Sequence, residues 1–168
     1  MERVRTLSYR NNGGPMLATV ALFGDNFTQD EWTNRLWDCY VLAQESPDPS
    51  TQNAAMIWNP DGNLIGAATN RFPQGVEYTA ERWERPLKYE VIEHAERNAL
   101  YQASRLGYFT AEATMAAAWA ACSDCARGII QSGVRRLVRH KNATDHANPI
   151  AAPGKDWSGS LSTADVKM

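Results

Sequence analysis

The sequence predicts an α/β domain of three layers, helix over sheet over helix, around a mixed central sheet of about five strands. Three observations point there. From residue 92 onward the apolar periodicity alternates helix, strand, helix, strand, the order that joins parallel strands in a layered domain. Two short apolar runs, Ala54 to Trp58 and Leu64 to Ala68, flank the turn-forming cluster Asn59-Pro60-Asp61-Gly62-Asn63 and read as an antiparallel hairpin. A length of 168 residues suffices for one domain with a core that needs no disulfides.

Taken in order, residues 1 to about 28 read as irregular around Asn11-Asn12-Gly13-Gly14-Pro15, with Met16 to Phe23 as an edge strand or a packed loop. Thr28-Gln29-Asp30-Glu31 is a capping box. It opens a helix in which Trp32, Leu36, Cys39, Tyr40 and Ala43 recur at helical spacing until Pro47 and Pro49. After the hairpin, Thr69 to Tyr89 turns polar and carries Pro73, Gly75 and Pro86, which predicts a long functional or binding loop. Ile92 to Leu106 is a helix stopped by Gly107, Thr114 to Trp119 a buried strand, Cys122 to Ser132 a helix stopped by Gly133, and Val134 to Val138 a strand. Asp156 to Met168 reads as the start of a last helix with Trp157, Leu161 and Ala164 inward. The expectation is one domain over 1–168, with a motif-bearing core of about 30–140 and a C-terminal tail of 141–168.

Lysine and arginine number 17, aspartate and glutamate 19, giving a net charge of −2 and a pI near 5.9. That balance disfavours polymeric nucleic acid as a partner. Three cysteines, two of them in a C-x-x-C, make a poor disulfide framework and suit a reducing, cytoplasmic compartment. No signal-peptide pattern and no membrane-length apolar run is present, so a soluble protein without a membrane partner is expected.

Two stretches carry chemistry, His94-Ala95-Glu96 and Cys122-Ser123-Asp124-Cys125. Cys122 and Cys125 are three apart at a helix start, so they share one face where unpaired amides favour thiolate. His94 also opens a helix, and only there, before the backbone is regular, can His94 and Glu96 face one small site. One His and two Cys are the ligand set of an open zinc site, one zinc per chain, whose fourth position is left for water. The other candidates, Cys39, His140 and His146, lie outside any paired spacing, and Cys39 reads as a small core hydrophobe. Zinc lowers the pKa of a bound water from about 15.7 toward about 7. Attack on an amidine carbon such as C4 of cytosine then needs a proton delivered to the ring nitrogen and another to departing ammonia. One carboxyl group, Glu96, can carry both. Alone, the C-x-x-C reads equally as a redox pair or half a structural zinc site, and the His-x-Glu as a charged helix start. Each constrains the other, since both open successive helices separated by one strand.

His-x-Glu with Pro-Cys-x-x-Cys is the known signature of zinc deaminases, and the chain resembles the zinc-dependent cytidine and deoxycytidylate deaminase superfamily, most of all its deoxycytidylate (dCMP) branch of cells and phages. The likeness covers roughly residues 30 to 140. It includes Ser46-Pro47-Asp48-Pro49-Ser50-Thr51-Gln52-Asn53, the Asn70-Arg71-Phe72-Pro73-Gln74-Gly75 loop, Lys88-Tyr89, and Cys125 to Val134. The resemblance implies a fold of the cytidine deaminase type, zinc on His94, Cys122 and Cys125, and Glu96 as the proton shuttle. It further implies substrate contacts at Asn70, at the Ala95 backbone and at Asn53, and a homo-oligomer, commonly a hexamer, in some members switched by dCTP and dTTP. The implied activity is hydrolysis of dCMP to dUMP and ammonia. Alternatives are a cytidine, deoxycytidine or modified-dCMP deaminase, a catalytically silent regulator, and a polynucleotide deaminase. Three departures stand out: Ala121 replaces the signature proline, Met115 to Ala120 is small and apolar, and Arg71 stands where the loop usually has glycine. Arg71 either grips a phosphate or lies in solvent; Arg97, Arg139 and Lys141 are the other phosphate candidates.

Overall fold

In the computed structural model of the chain, the backbone is described for residues 5–11, 14–20, 29–140 and 161–165, and side chains for 31–139. The elements run β1 (Arg5–Asn11), β2 (Gly14–Val20), α1 (Gln29–Ala43), β3 (Ala54–Trp58), β4 (Leu64–Thr69), α2 (Ala80–Trp83), α3 (Leu87–Val91), α4 (Ala95–Arg105), β5 (Thr114–Ala117), α5 (Ser123–Gln131), β6 (Arg136–His140) and β7 (Leu161–Asp165). The main sheet has five strands in the order β4-β3-β5-β6-β7. Four of them come from the motif-bearing core and the fifth from the tail. β3 pairs antiparallel with β4 and β5, β5 pairs parallel with β6, and β7 returns antiparallel to β6, so the sheet is mixed as expected.

Strand alternation sorts the core into two layers. Ala55, Ile57, Met115 and Ala117 face α4 and α5, meeting Ala95, Ala99, Leu100 and Ile129. Met56, Trp58, Ala116 and Val138 face the other way, onto Trp32, Leu36, Cys39 and Tyr40 of α1. The five apolar positions that predicted α1 are all buried. On the opposite face small residues bring α4 close: a Cβ built on Gly66 of β4 would stand 2.6 Å from the Ala99 carbonyl oxygen.

Several boundaries differ from the sequence reading, each for a local reason. Arg5–Asn11, expected to be irregular, is a strand paired with β2. The sequence carries Asn-Gly, a common hairpin dipeptide, between the two strands, a signal outweighed in the reading by the surrounding polar residues. The expected 69–89 loop carries the short helices α2 and α3, too brief to show a period. The helix expected from Ile92 starts at Ala95 because Glu93 is drawn into a bridge with Arg71, Arg71 N–H donating to Glu93 C=O at 3.1 Å and Glu93 N–H donating back at 2.8 Å. β6 begins two residues late because parallel pairing with β5 sets its register, Thr114 opposite Arg136. The last segment, expected to be helical with Leu161 and Ala164 inward, is the strand β7, since the open edge of β6 offers ladder hydrogen bonds that outweigh a weak helical pattern. Trp157, Thr28, Lys141 and His146 lie outside the described residues.

Candidate metal centre and active site

The bridge to Arg71 holds the chain extended up to His94, which caps α4 with φ −72° and ψ 151°. Cys122 caps α5 in the same extended way, φ −70° and ψ 171°, and Cys125 lies in that helix's first turn. Two helix starts thus converge, and His94 Nδ1 stands 3.5 Å from Cys122 Sγ and 3.6 Å from Cys125 Sγ. All three donor atoms lie within 4.8 Å of one another. Zinc–sulfur bonds of about 2.3 Å and zinc–nitrogen bonds of about 2.0–2.1 Å at a tetrahedral angle put N and S about 3.6 Å apart. The arrangement therefore fits a zinc ion, and the sulfur-rich donor set with a borderline nitrogen suits that metal. Cys39 is excluded from it: it is buried on the α1 face with its thiol toward the Ala116 carbonyl.

Glu96 lies in the first turn of α4 and is 2 % exposed, with Oε2 buried and without a hydrogen-bond donor among the described residues. Burial raises its carboxyl pKa, opposed by its own backbone amide, the Cys125 thiol, the Arg97 charge and the Asn53 side chain. An orphaned buried carboxylate oxygen is costly, and at this position it is placed to exchange protons with a reacting molecule. His94 is pushed down by burial and then by Arg97, with Glu93, Asp124 and Asp48 pulling the other way; the neutral imidazole this favours is the metal-binding form. Burial, and after it the Glu96 charge, push the Cys125 thiol up.

The other sequence candidates surround this pair. Asn70 is 3 % exposed, its Oδ1 accepting the Ala95 N–H at 2.9 Å and its Nδ2 donating to the Thr51 carbonyl at 3.0 Å. Asn70 and the Ala95 amide, expected as separate substrate contacts, are thus joined to each other. Asn53 is buried, and its Oδ1 accepts the Trp119 backbone N–H at 3.2 Å while the side chain faces Glu96. Arg71 is half-buried, its Nε and Nη2 both donating to Thr69 Oγ1. Arg97 bonds Glu93 and lies 3.8 Å from Asp124. Ala121 packs against the α4-side core, and Cys122 reaches its extended cap without the proline. Met115 to Ala118 is fully buried and divided between the two core layers, so the run is sheet interior.

In the sequence Asp48 and Lys88 belong only to the segments that resemble the family. The structure makes them a buried ion pair, Nζ to Oδ1 2.6 Å, with side chains 0 % and 4 % exposed. Nothing in a lysine on a short helix marks it as buried, because the partner lies 40 residues away.

With fold and site in view, residues 30–141 match the cytidine and deoxycytidylate deaminase zinc-binding region. The chain belongs to that family. It is 30 % identical over 105 residues to the deoxycytidylate deaminase of Mus musculus, covering 59 % of this chain and 58 % of that protein. It is 39 % identical over 71 residues to the deoxycytidylate deaminase of Enterobacteria phage T4, covering 42 % and 36 %. The chain spans under two thirds of the length of these relatives. Its fold is similar to the crystal structure of dCMP deaminase from the cyanophage S-TIM5 in complex with dCMP and dUMP, with a TM-score of 0.58, 18 % identity, and coverage of 67 % of this chain and 82 % of that one.

Proposed function

We propose that this chain catalyses zinc-dependent hydrolytic deamination of dCMP to dUMP, with zinc on His94, Cys122 and Cys125 and Glu96 as the proton shuttle. The observation that carries the reading is the buried, unmatched Glu96 Oε2 beside three donors spaced for zinc. Zinc bound there supplies Lewis acidity, which makes a water acidic enough to ionise near neutral pH. Glu96 takes a proton from the attacking water and delivers it to ring N3 as the new C4–O bond forms. It then takes the proton of the new C4 hydroxyl and passes it to the amino nitrogen; the C4–N bond breaks with its electron pair on nitrogen, the C4=O bond forms, and ammonia leaves. A carboxyl group raised by burial suits both directions of transfer. Asn53, beside Glu96 and fixed by Trp119 N–H, restricts the carboxyl group's rotation.

The deoxycytidylate deaminases among its relatives favour the monophosphate over the free nucleoside. A silent regulator has no use for a buried carboxyl group at the metal. Zinc-loaded protein should release ammonia from dCMP faster than from deoxycytidine or cytidine at equal concentration. Absence of turnover of all three would refute the reading. A single domain and a homo-oligomer belong to the same proposal. Tyr101, Tyr108 and Phe109, all exposed and Phe109 90 % so, border one groove beside α4 and α5 that a second copy would cover. Light scattering of the purified protein measures that assembly. Free thiols at the metal centre support a reducing, cytoplasmic setting; among the described residues no helix is long and apolar enough to cross a membrane.

A further inference from the structure

We infer that Lys88 is a positioning residue for the deamination site, acting through Asp48 and the 48–53 segment on Asn53, Asn70 and the first turn of α4. The inference rests on the proposed activity for its kinetic consequence, but its geometry stands alone. Lys88 lies on α3, on the segment leading to His94 and outside the metal centre. Its Nζ donates to Asp48 Oδ1 and to Ser50 Oγ, both at 2.6 Å, and lies 5.8 Å from the centre of the Trp83 ring. Trp83 in turn stacks on Phe72, 4.1 Å between centroids, so the ammonium joins the 70–89 segment to the 46–53 segment.

From Asp48 the connections run without a break. Oδ1 also accepts the backbone N–H of Ser50 at 2.9 Å and of Thr51 at 3.0 Å, which folds the segment into a tight turn. The Thr51 carbonyl leaving that turn accepts Asn70 Nδ2, and the Asn53 carbonyl accepts the Asn70 backbone N–H at 3.1 Å. Ser46 Oγ donates to the Asn70 carbonyl at 2.6 Å. Asn70 Oδ1 then holds the Ala95 N–H, the first helical amide between His94 and Glu96. Lys88 and Glu96 are thus linked through two asparagines whose polar groups are fixed on both sides.

Stability alone does not explain the pair. A well-packed apolar pair in the same space commonly does as well as a buried ion pair, whereas a charge bonded to two loop residues at once sets one geometry. Displacing a catalytic group by about 1 Å can cost about 100-fold in rate; that is the role the pair serves here.

The test uses the zinc-loaded full chain as wild type, Lys88→Met and the double variant Asp48→Asn/Lys88→Met. Lys88→Met alone leaves Asp48 buried and unpaired and is expected to lower the melting temperature sharply. The double variant keeps an oxygen for the Ser50 and Thr51 amides without an unpaired charge, so it should melt near wild type and retain zinc against a chelator within about twofold. Its kcat for dCMP should nevertheless fall about 10- to 100-fold with KM within about threefold. Its Ala95 amide should exchange with solvent at least about tenfold faster, while amides of Leu100 to Ala103 do not change. Wild-type kcat or wild-type Ala95 exchange in a folded double variant would overturn the inference. Should wild type itself fail on dCMP, the functional reading falls, and Ala95 exchange still decides the role of Lys88.

Discussion

Substituting Gly66 tests how closely the site depends on the contact between β4 and α4. In Gly66→Ala the new methyl carbon would stand 2.6 Å from the Ala99 carbonyl oxygen and 3.4 Å from the Ala103 Cβ. Ordinary contact begins near 3.4 Å, so helix and strand must part by about 0.8 Å at this point. The obstacle is backbone in mid-helix, with no rotamer to turn aside. Overpacking of this kind costs about 1–3 kcal/mol. At about 2–4 °C per kcal/mol for a chain of this size, a value near 2 kcal/mol lowers the melting temperature by about 4–8 °C. Because Ala99 is one turn from Ala95, the displacement reaches His94 and Glu96, and zinc should be lost to a chelator sooner than from wild type. Gly128→Ala is the matched control: in the middle of α5 its methyl would meet the flexible Arg97 stem at 3.4 and 3.7 Å and the Leu100 Cδ1 at an ordinary 3.8 Å, with no backbone in the way. There alanine should be neutral or stabilising by up to about 1 kcal/mol. Thermal melts and chelator competition on both variants read the result. A Gly66→Ala protein melting within about 1 °C of wild type would refute the close-approach argument.

Other expectations follow from the site and the core. Glu96→Gln keeps the side-chain volume and should keep zinc, but lowers dCMP turnover by about 100- to 10,000-fold in an ammonia-release assay. His94→Ala removes one of three donors; metal analysis should find substoichiometric zinc, and chelator treatment of wild type should abolish turnover in the same way, with activity restored by added zinc. Met115→Ala empties a fully buried position on β5 and should destabilise by about 2–5 kcal/mol in a denaturant titration. Arg135→Ala breaks an exposed pair with Glu112 and should shift stability by less than about 1 kcal/mol.

What the sequence disclosed was what local pattern encodes. The period of Trp32, Leu36, Cys39, Tyr40 and Ala43 located α1, and turn residues 59–63 located the β3–β4 hairpin, because periodicity and turn chemistry act within a few neighbours. The metal centre was legible because its residues open two helices, a context that spacing alone can carry. What stayed hidden depends on partners far along the chain. β7 is a strand because β6 has an edge to offer, and α4 starts late because Glu93 pairs with Arg71, 22 residues before it. The burial of Cys125, which raises its thiol, also lay beyond what spacing could show. Nothing local marked Lys88 as half of a buried pair, because its partner, Asp48, is distant in the chain.

The two faces of the sheet answer differently to mutation. Toward α1 they meet through Trp32, Trp58 and Tyr40, large side chains among which a gain or loss of volume can be shared. Toward α4 the closest approach is through Ala99 and Ala103, and on the strand at Gly66 through no side chain at all, so at that contact there is no spare volume to trade. Substitutions should therefore accumulate more readily on the α1 side, while the layer behind the metal remains narrow. Attempts to enlarge the substrate range of this scaffold will fare better at the surrounding loops than along the helix that carries His94 and Glu96.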